Sequence, residues 1–533
     1  MKKTLARIIA GLATFVAGYG VAMAQSVWVG DGTGIDITSN GNPGWNGSGI
    51  PNAVDAVADY SLLTTRIQNI TVSPTNGTMI LNTAGAVTFG FDWANPALKP
   101  VVFDVSSGRA LLDLGGTNTG RSVTFRNGWT LNDNLLSTWS NKSASFTLNV
   151  QGVITGAGGI ETYSWSDVKQ LYNLFFNLSG ANTFSGGIVV GSNTILGLGH
   201  SMAAGTGDIV MTNNTAIQLH IGTMNITNNI RTANSSDYGT LIMSQASSAI
   251  SLYGNITGTG RARLGGTGGS SGTFILKGTN TPQFEMMPAS GSTMAVQVDN
   301  DYSMPAGGIL MAGSAGRQTT LRFNAAGTYT QGIASMLGWD AANHVNFTMV
   351  VGTTDTLADK VTLNSATAMN FSVPTGGVSL VAGHAGGTLE VQTQLTDLGS
   401  NRNVLVTGPG TVIISRETGN AYGGTTTVSS GTLLVNGSLG GAGAVTVAAG
   451  ATLGGAGVIT GHTTVNGTLS PGTSPGTLTF EGNLTLGSGS TSEFEINGLL
   501  VGQYDQVLLS SLGTQNLTLG GTLDVTFGTF DAN

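Results

Sequence analysis

The 533-residue chain contains no cysteine and little charge, with 19 basic and 27 acidic residues making up 9% of it, against about 25% in an ordinary soluble domain. Without cysteine no disulfide can staple an exported fold, so stability must come from repetitive packing and backbone hydrogen bonds. The few Lys and Arg residues provide no clustered basic field of the kind that holds nucleic acid. Beyond the first two dozen residues there is no long apolar run, so the later sequence offers no helical membrane span of about 20 residues. Glycine, in contrast, is abundant, at 83 residues, roughly twice its usual share. Inside a helix each glycine costs about 1 kcal/mol relative to alanine, which argues against helical bundles and α/β enzymes and for a mostly β chain. A mean hydropathy of +0.17 at so low a charge density separates the chain from typical disordered sequences.

Residues 1–24 read as a secretory signal. Lys2, Lys3 and Arg7 supply its positive start, Ile8 to Val21 its apolar stretch, and Ala22-Met23-Ala24 a small-x-small cleavage site before Gln25. Gly11, Gly18 and Gly20 interrupt the stretch, which is also short for a bilayer anchor. Removal of its three basic residues from the 19 leaves 16 against 27 acidic ones, a net charge of −11 with His neutral.

From Val27 onward, short runs rich in Val, Ile, Thr, Leu and Phe alternate with Gly, Asn, Ser and Asp. Ile70-Thr71-Val72, Ser122-Val123-Thr124-Phe125 and Phe146-Thr147-Leu148-Asn149-Val150 have the period of half-buried strands. Strands recurring every eight to twelve residues suit a sandwich or a stacked solenoid, and internal repetition separates the two. Such repetition is present. Asn182-Thr183-Phe184-Ser185-Gly186-Gly187 and Asn420-Ala421-Tyr422-Gly423-Gly424 share an Asn-x-aromatic, Gly-Gly, strand order. A second and a third strand follow each copy, as in Gly431-Thr432-Leu433-Leu434-Val435 and then Gly443-Ala444-Val445-Thr446-Val447, with Gly450 and Leu453 in the next turn and strand. A strand and glycine turn recurs at Gly152–Gly158, Gly254–Gly260 and Gly457–Gly461.

These segments resemble the autotransporter-associated β-strand repeat, also called the passenger-associated transport repeat, of large exported bacterial surface proteins. The best copy covers 415–461 and a diverged one 178–215. Leu469–Leu478, Gly482–Leu486 and Tyr504–Val507 resemble the segment that closes such passengers, and Trp45-Asn46-Gly47 with Pro51, Asn52 and Asp55 resembles their mature start. The clear motifs span about a third of the chain. The resemblance implies an all-β, right-handed parallel β-helix, the handedness being the family's. Its expected organisation is a signal peptide at 1–24, an N-terminal cap and first β-coils at 25–165, a β-solenoid at 166–414, the best repeat at 415–461, and C-terminal closing coils at 462–533. Alternate residues such as Leu433 and Val435 would point inward, with glycine and asparagine at the corners where φ turns positive. At about 20 to 25 residues per coil and about 4.8 Å per rung, the mature chain would form a rod on the order of 100 Å long. Six of the seven tryptophans, Trp28, Trp45, Trp93, Trp129, Trp139 and Trp165, lie in the first third, which reads as a dense, Trp-rich N-terminal cap and irregular first coils.

Candidates for chemistry are sparse. His200, His220, His344, His384 and His462 are spread singly, without the closely spaced second ligand of a zinc site. Gly268-Gly269-Ser270-Ser271-Gly272 matches G-x-S-x-G, but a nucleophile elbow needs a following helix and chance matches are expected in a glycine-rich chain. Glu493 and Glu495 share a strand face and form either a carboxylate pair for glycoside chemistry or an apolar-in, acid-out alternation, the reading preferred here. Gly30–Asp36 is one copy of a calcium nonapeptide that works in tandem. Asp299-Asn300-Asp301 and the pair Asp355 and Asp359 read as solvated loops rather than calcium ligands. No metal or cofactor is therefore expected. Trp45 and Trp93 offer ring faces for stacking on surface polysaccharide, with packing under the cap as the rival reading.

The expected function is that of an exported, non-enzymatic β-solenoid passenger, serving as a cell-surface spacer, adhesin-like or extracellular matrix protein. Its partners would be surface polysaccharide or other cells, and its location the cell surface, the medium or the periplasm. The alternative is a β-helix polysaccharide lyase or hydrolase, although no cluster of Asp, Glu, Lys and Arg on one face is evident. Complete autotransporters continue into a membrane barrel and other members of the group into a short sorting tail, whereas this sequence stops at Asn533 just after the strand Gly521–Thr526. The expectation is either a truncated product or a freely secreted or periplasmic solenoid.

Overall fold

A computed structural model describes the chain from Val101 to Gly528, apart from residues 105–107, 115–120, 127, 140–144, 165–173, 213, 221, 233–237, 244–247, 260, 267–270, 314–315, 336–346, 442 and 511–514. Before Val101 it describes five short strands, Gln25–Val27, Val57–Asp59, Thr75–Asn76, Thr78–Ile80 and Val87–Phe89. Apart from a single 3₁₀ turn at Asp301–Ser303, the regular structure among the described residues is β. The protein is a parallel β-solenoid. It divides into two compact units, Met1–Ala216 and Ile217–Asn533.

In the first unit each coil lays down one strand on each of up to three sheets. Leu135–Trp139, Phe146–Val150 and Ile154–Gly156 form one such coil, and each pairs in parallel with a strand about one coil earlier, Ala110–Asp113, Arg121–Phe125 and Trp129–Leu131. Alternation does the work: odd positions of Leu135–Trp139 are buried and even ones half-exposed. Stacking in register turns these into columns. Ala110, Leu135, Ile160, Ile188 and Ile209 succeed one another along the interior, none of them more than 2% exposed. Each large apolar side chain in such a column contributes about 1.5–3 kcal/mol through burial.

Two of the tryptophans expected in the cap and irregular first coils lie in regular coils of this core. Trp129 opens a strand, is fully buried, and meets Phe103 and Phe125 edge-on at 5.3 and 5.2 Å and Phe176 in a stacked contact at 6.2 Å. Trp139 packs on Phe146 at 4.8 Å. A ring of this size fits where successive coils present aromatic or branched neighbours, so these two residues mark a dense section of solenoid. Trp28, Trp45, Trp93 and Trp165 lie outside the described residues.

The second unit is built around a 13-stranded sheet that runs from Thr223–Ile226 to Leu517–Thr518. Its twelve steps at about 4.8 Å span about 58 Å. An interior column passes without a break from Phe274 through Leu321, Leu380 and Val428 to Leu486. Coil length varies more than the sequence reading expects. Register partners lie 18 residues apart at Val445 and Thr463 but 33 apart at Leu484 and Leu517, because extra residues leave the stack as loops between strands. The shortest step, 16 residues between Thr452 and Thr468, begins within the repeat at 415–461 and ends beyond it. In this region Gly424, Gly443, Gly461 and Gly482 stack at one corner: a Cβ on Gly443 would lie 1.8 Å from the Gly424 carbonyl oxygen, and one on Gly461 2.0 Å from that of Gly443.

Candidate functional site

The sequence motif Asn-x-aromatic resolves into a specific device. Asn182 is completely buried; its Oδ1 accepts the Ile154 N–H at 2.8 Å and its Nδ2 donates to the Ala203 carbonyl at 2.6 Å. Asn420 repeats the arrangement, with Oδ1 accepting from Leu395 N at 2.8 Å and Nδ2 donating to Ser438 O at 2.8 Å. One amide thus joins three successive coils. Asn280, which the sequence reading did not single out, does the same between Ile256 N at 3.2 Å and Ser303 O at 2.7 Å. In all three cases the accepted N–H opens the last strand of a sheet: Ile154–Gly156, Ile256–Gly258 and Leu395–Thr396 each end their sheet's strand order. Where a sheet ends, the next rung no longer supplies a carbonyl, and a buried N–H without a partner is costly. The asparagine side chain supplies that acceptor.

The other repeat residues support these corners. Phe184 is fully buried, and Tyr422 is nearly so, with its hydroxyl 2.7 Å from the Thr426 hydroxyl and its ionisation pushed up to about 12 by burial. Gly186 and Gly424 allow close approach, since a Cβ would come within 2.3 Å of Gly159 N and Arg402 O respectively. Gly187, Gly431 and Gly450 have φ of 77, 68 and 81°, a region that favours glycine. Gly423 donates its N–H to the Asp397 carboxylate at 3.0 Å, while Leu433 and Leu453 pair in register within the core. The Asp397 carboxylate also accepts from Gly399 N and Arg402 N; burial alone would raise its pKa, but these backbone donors outweigh it and hold the group below the usual carboxylate range.

Several charged side chains are engaged by neighbouring rungs. Along one corner of the second unit, Lys277 Nζ lies 5.3 Å from the Tyr253 ring centre and 2.5 Å from Asp299 Oδ2; Asn324 donates to Asp299 at 3.2 Å, and Thr354 donates to Asn324 at 2.6 Å. The Asp299 pKa is lowered because Lys277, Gln297 and Asn324 outweigh the opposing effect of burial, and the hydrogen bond to Asp299 raises that of Lys277. The Glu285 carboxylate is fully buried between Arg261 at 2.8 Å and Arg263 at 3.3 Å. Glu390 faces Lys360, Ser415 at 2.5 Å and Gln392 at 3.1 Å. Burial pushes its pKa up, yet these donors prevail and bring it down to about 2.

The remaining sequence candidates stay apart. His200 and His384 each accept through Nδ1 from the backbone N–H two residues later, at 3.1 and 3.0 Å, while His462 accepts from Asn483 N of the next coil at 2.9 Å. His220 is half-buried and its pKa is lowered by that burial; His344 lies outside the described residues. Gly272 opens a strand, not a helix, so the G-x-S-x-G segment lacks the geometry of a nucleophile elbow; its residues 268–270 lie outside the described residues. Glu493 points to solvent, whereas Glu495 accepts from Ser474 at 2.5 Å and Asn497 at 2.9 Å, and those bonds lower its pKa. Asp299 is spent on the corner ladder, and Asp355 and Asp359 are exposed in a turn. Among the described residues no group of three or more His, Cys, Asp and Glu could hold a metal ion. The segment 30–36, Trp45 and Trp93 lie outside the described residues.

Threonine dominates the outward faces near the C-terminal end of the second unit. Thr388, Thr411, Thr432, Thr452, Thr468, Thr491 and Thr522 occupy one register position over seven rungs. Thr427, Thr446, Thr464, Thr485 and Thr518 do so on the 13-stranded sheet. A depression of about 360 Å³ on that sheet is lined by uncharged residues, Ser271, Thr273, Thr293, Gln318 and Thr320 among them. No protein-family model matches the chain, and no curated protein or solved structure matches it either.

Proposed function

We propose that the chain is an exported, non-enzymatic β-solenoid of the passenger type, which serves as a surface spacer, adhesin-like or matrix protein. The observation that carries this reading is the pair of threonine columns, which gives the stack a neutral hydroxyl surface over several successive rungs. Hydroxyl rows at about 4.8 Å spacing bind by many weak, repeated hydrogen bonds rather than by one polarising site, which suits adhesion or spacing better than bond cleavage. The interlocking Asn182, Asn280 and Asn420 amides support the same reading, since they strengthen the stack itself.

The export part of the proposal rests on residues 1–24 and the passenger part on the resemblance of 415–461. Purified protein incubated with neutral and acidic surface polysaccharides should co-sediment with at least one of them and release no reducing or unsaturated ends. Release of such ends would replace the proposal with the lyase or hydrolase alternative. Alanine at Trp45 and Trp93 tests the stacking role: binding lost with the thermal transition unchanged supports it, and a lost transition assigns both rings to packing.

A further inference from the structure

Most basic side chains of the second unit have a partner or lie in solvent. Arg261 and Arg263 hold Glu285, Lys277 holds Asp299, and Lys360 faces Glu390; Arg402 and Arg416 donate to the Ser372 and Thr418 carbonyls, and Arg231 and Arg317 are exposed. Arg322 differs. It is half-buried on the outward face of the 13-stranded sheet, with its Nε enclosed and without a hydrogen-bond partner. In register it lies between Gln297 and Gly352; the glycine has no side chain, and the Gln297 amide donates to Asp299 at 2.7 Å. Asp299, at the adjoining corner, is itself spent, since Oδ1 also accepts from Asn324 at 3.2 Å and Oδ2 takes Lys277 at 2.5 Å. A guanidinium partly removed from water without a counter-charge is costly, so the fold holds a cation here whose partner it does not supply.

The same sheet face is recessed beside it. Thr320, two residues before Arg322 on the same side of the strand and so about 7 Å away, lines the depression of about 360 Å³ together with Ser271, Thr273, Thr293, Ala295 and Gln318. Ala295 leaves the notch, because its register neighbours on either side are the larger Thr273 and Thr320. We propose that Arg322 and this depression form a binding site for an acidic polysaccharide, with the carboxylate of a uronic acid residue on the guanidinium and sugar hydroxyls on the Thr, Ser and Gln side chains of the notch. A carboxylate matches the guanidinium fork with two parallel hydrogen bonds. Its single charge balances the one unpaired cation, whereas a phosphate monoester, with close to two charges, would leave an excess beside Asp299. The hydroxyls and the amide around the notch both donate and accept, as sugar hydroxyls require. Such a site rests on the surface-binding reading above and gives it a ligand class.

Isothermal titration of the full-length protein with polygalacturonate, polymannuronate and hyaluronan, each also in its methyl-esterified form, tests the site. At least one acidic chain should bind, and its ester should bind far more weakly. Arg322→Ala should weaken binding about tenfold or more. Ala295→Leu, which fills the notch, should weaken it too, whereas Arg317→Ala, an exposed base on the same strand, should not. Because the guanidinium is unpaired in the unliganded protein, Arg322→Ala should leave the thermal transition unchanged or raise it, and bound polysaccharide should raise the transition of the parent more than that of the variant. Parent-like affinity in Arg322→Ala or Ala295→Leu overturns the proposal, as do equal binding of the ester, an equal loss in Arg317→Ala, a lowered transition in Arg322→Ala, or failure of all three acidic chains to bind. Those results leave a surface for neutral polysaccharide standing; release of unsaturated ends would remove the non-enzymatic reading whatever Arg322 does.

Discussion

Replacing Asn420 by alanine removes both hydrogen bonds of a buried amide at once, and with them the acceptor for Leu395 N–H and the donor for Ser438 C=O. A buried polar group left without a partner costs about 1–3 kcal/mol. Two such groups, less the relief of no longer burying the asparagine amide, give an expected loss of about 3 kcal/mol for the coils around 395–438. The loss should be local, because a solenoid is stabilised by nearest-neighbour interfaces. Urea unfolding followed by circular dichroism reads the total. Hydrogen exchange of a peptide spanning Leu395 reads the site, where 3 kcal/mol corresponds to about a hundredfold loss of protection. Asn420→Asp sharpens the test. The carboxyl keeps an acceptor for Leu395 N–H but offers a donor to Ser438 C=O only when protonated, so its folded pKa lies above the unfolded value of about 3.9. The stability it retains is present below that value and lost as pH rises through the folded pKa. A change under about 0.5 kcal/mol for Asn420→Ala, with exchange at Leu395 unaltered, refutes the assignment of this amide as the terminator of its sheet.

Gly443→Ala should destabilise by about 3 kcal/mol or more, because its Cβ would sit 1.8 Å from the Gly424 carbonyl oxygen and one corner of the stack would have to open; Gly450→Ala, with open space around it, should cost less and only through its positive φ. Thermal melts of the two variants side by side measure the difference. Glu390, with its pKa at about 2 against an unfolded value of about 4.3, contributes stability that is present above pH 4.3 and lost as pH falls towards 2; melting temperature followed across that window should drop in the parent and less steeply in Glu390→Gln. Trp129→Ala should cost about 3–5 kcal/mol through a cavity among Phe103, Phe125 and Phe176, measured by urea unfolding of the full chain.

The architecture was readable because alternation survives stacking: Phe146–Val150 is inward and outward by turns in the sequence and in the structure alike. Coil boundaries were harder. Thr452 and Thr468 are register neighbours 16 residues apart, and Thr491 and Thr522 are neighbours 31 apart, so the seven-rung threonine column has no fixed period that a repeat search would detect. The buried asparagines show the same limit. Asn182 and Asn420 stood out by the aromatic residue and paired glycines that follow, while Asn280 is followed by Thr281 and Pro282 and has only its geometry to identify it. Its sequence signal was the preceding strand Gly272–Leu276 and the Gly278 corner, which are common in this chain. Trp129 and Trp139 fall in the first coils as their position in the sequence suggests, but clustering in the first third does not show that those coils are regular or that both rings face inward. The tie between Gly423 and the Asp397 carboxylate, 26 residues earlier, depends on the rung spacing and was not legible before the register was known.

The most direct test of the account is a distance across the stack. Cysteines introduced at Thr388 and Thr522 in this cysteine-free chain carry spin labels at one register position six rungs apart. At about 4.8 Å per rung the account predicts a single narrow distribution near 29 Å, with a second pair at Thr427 and Thr518, four rungs apart, near 19 Å. Distances that are broad, or that do not scale with the number of rungs, would contradict a continuous parallel stack.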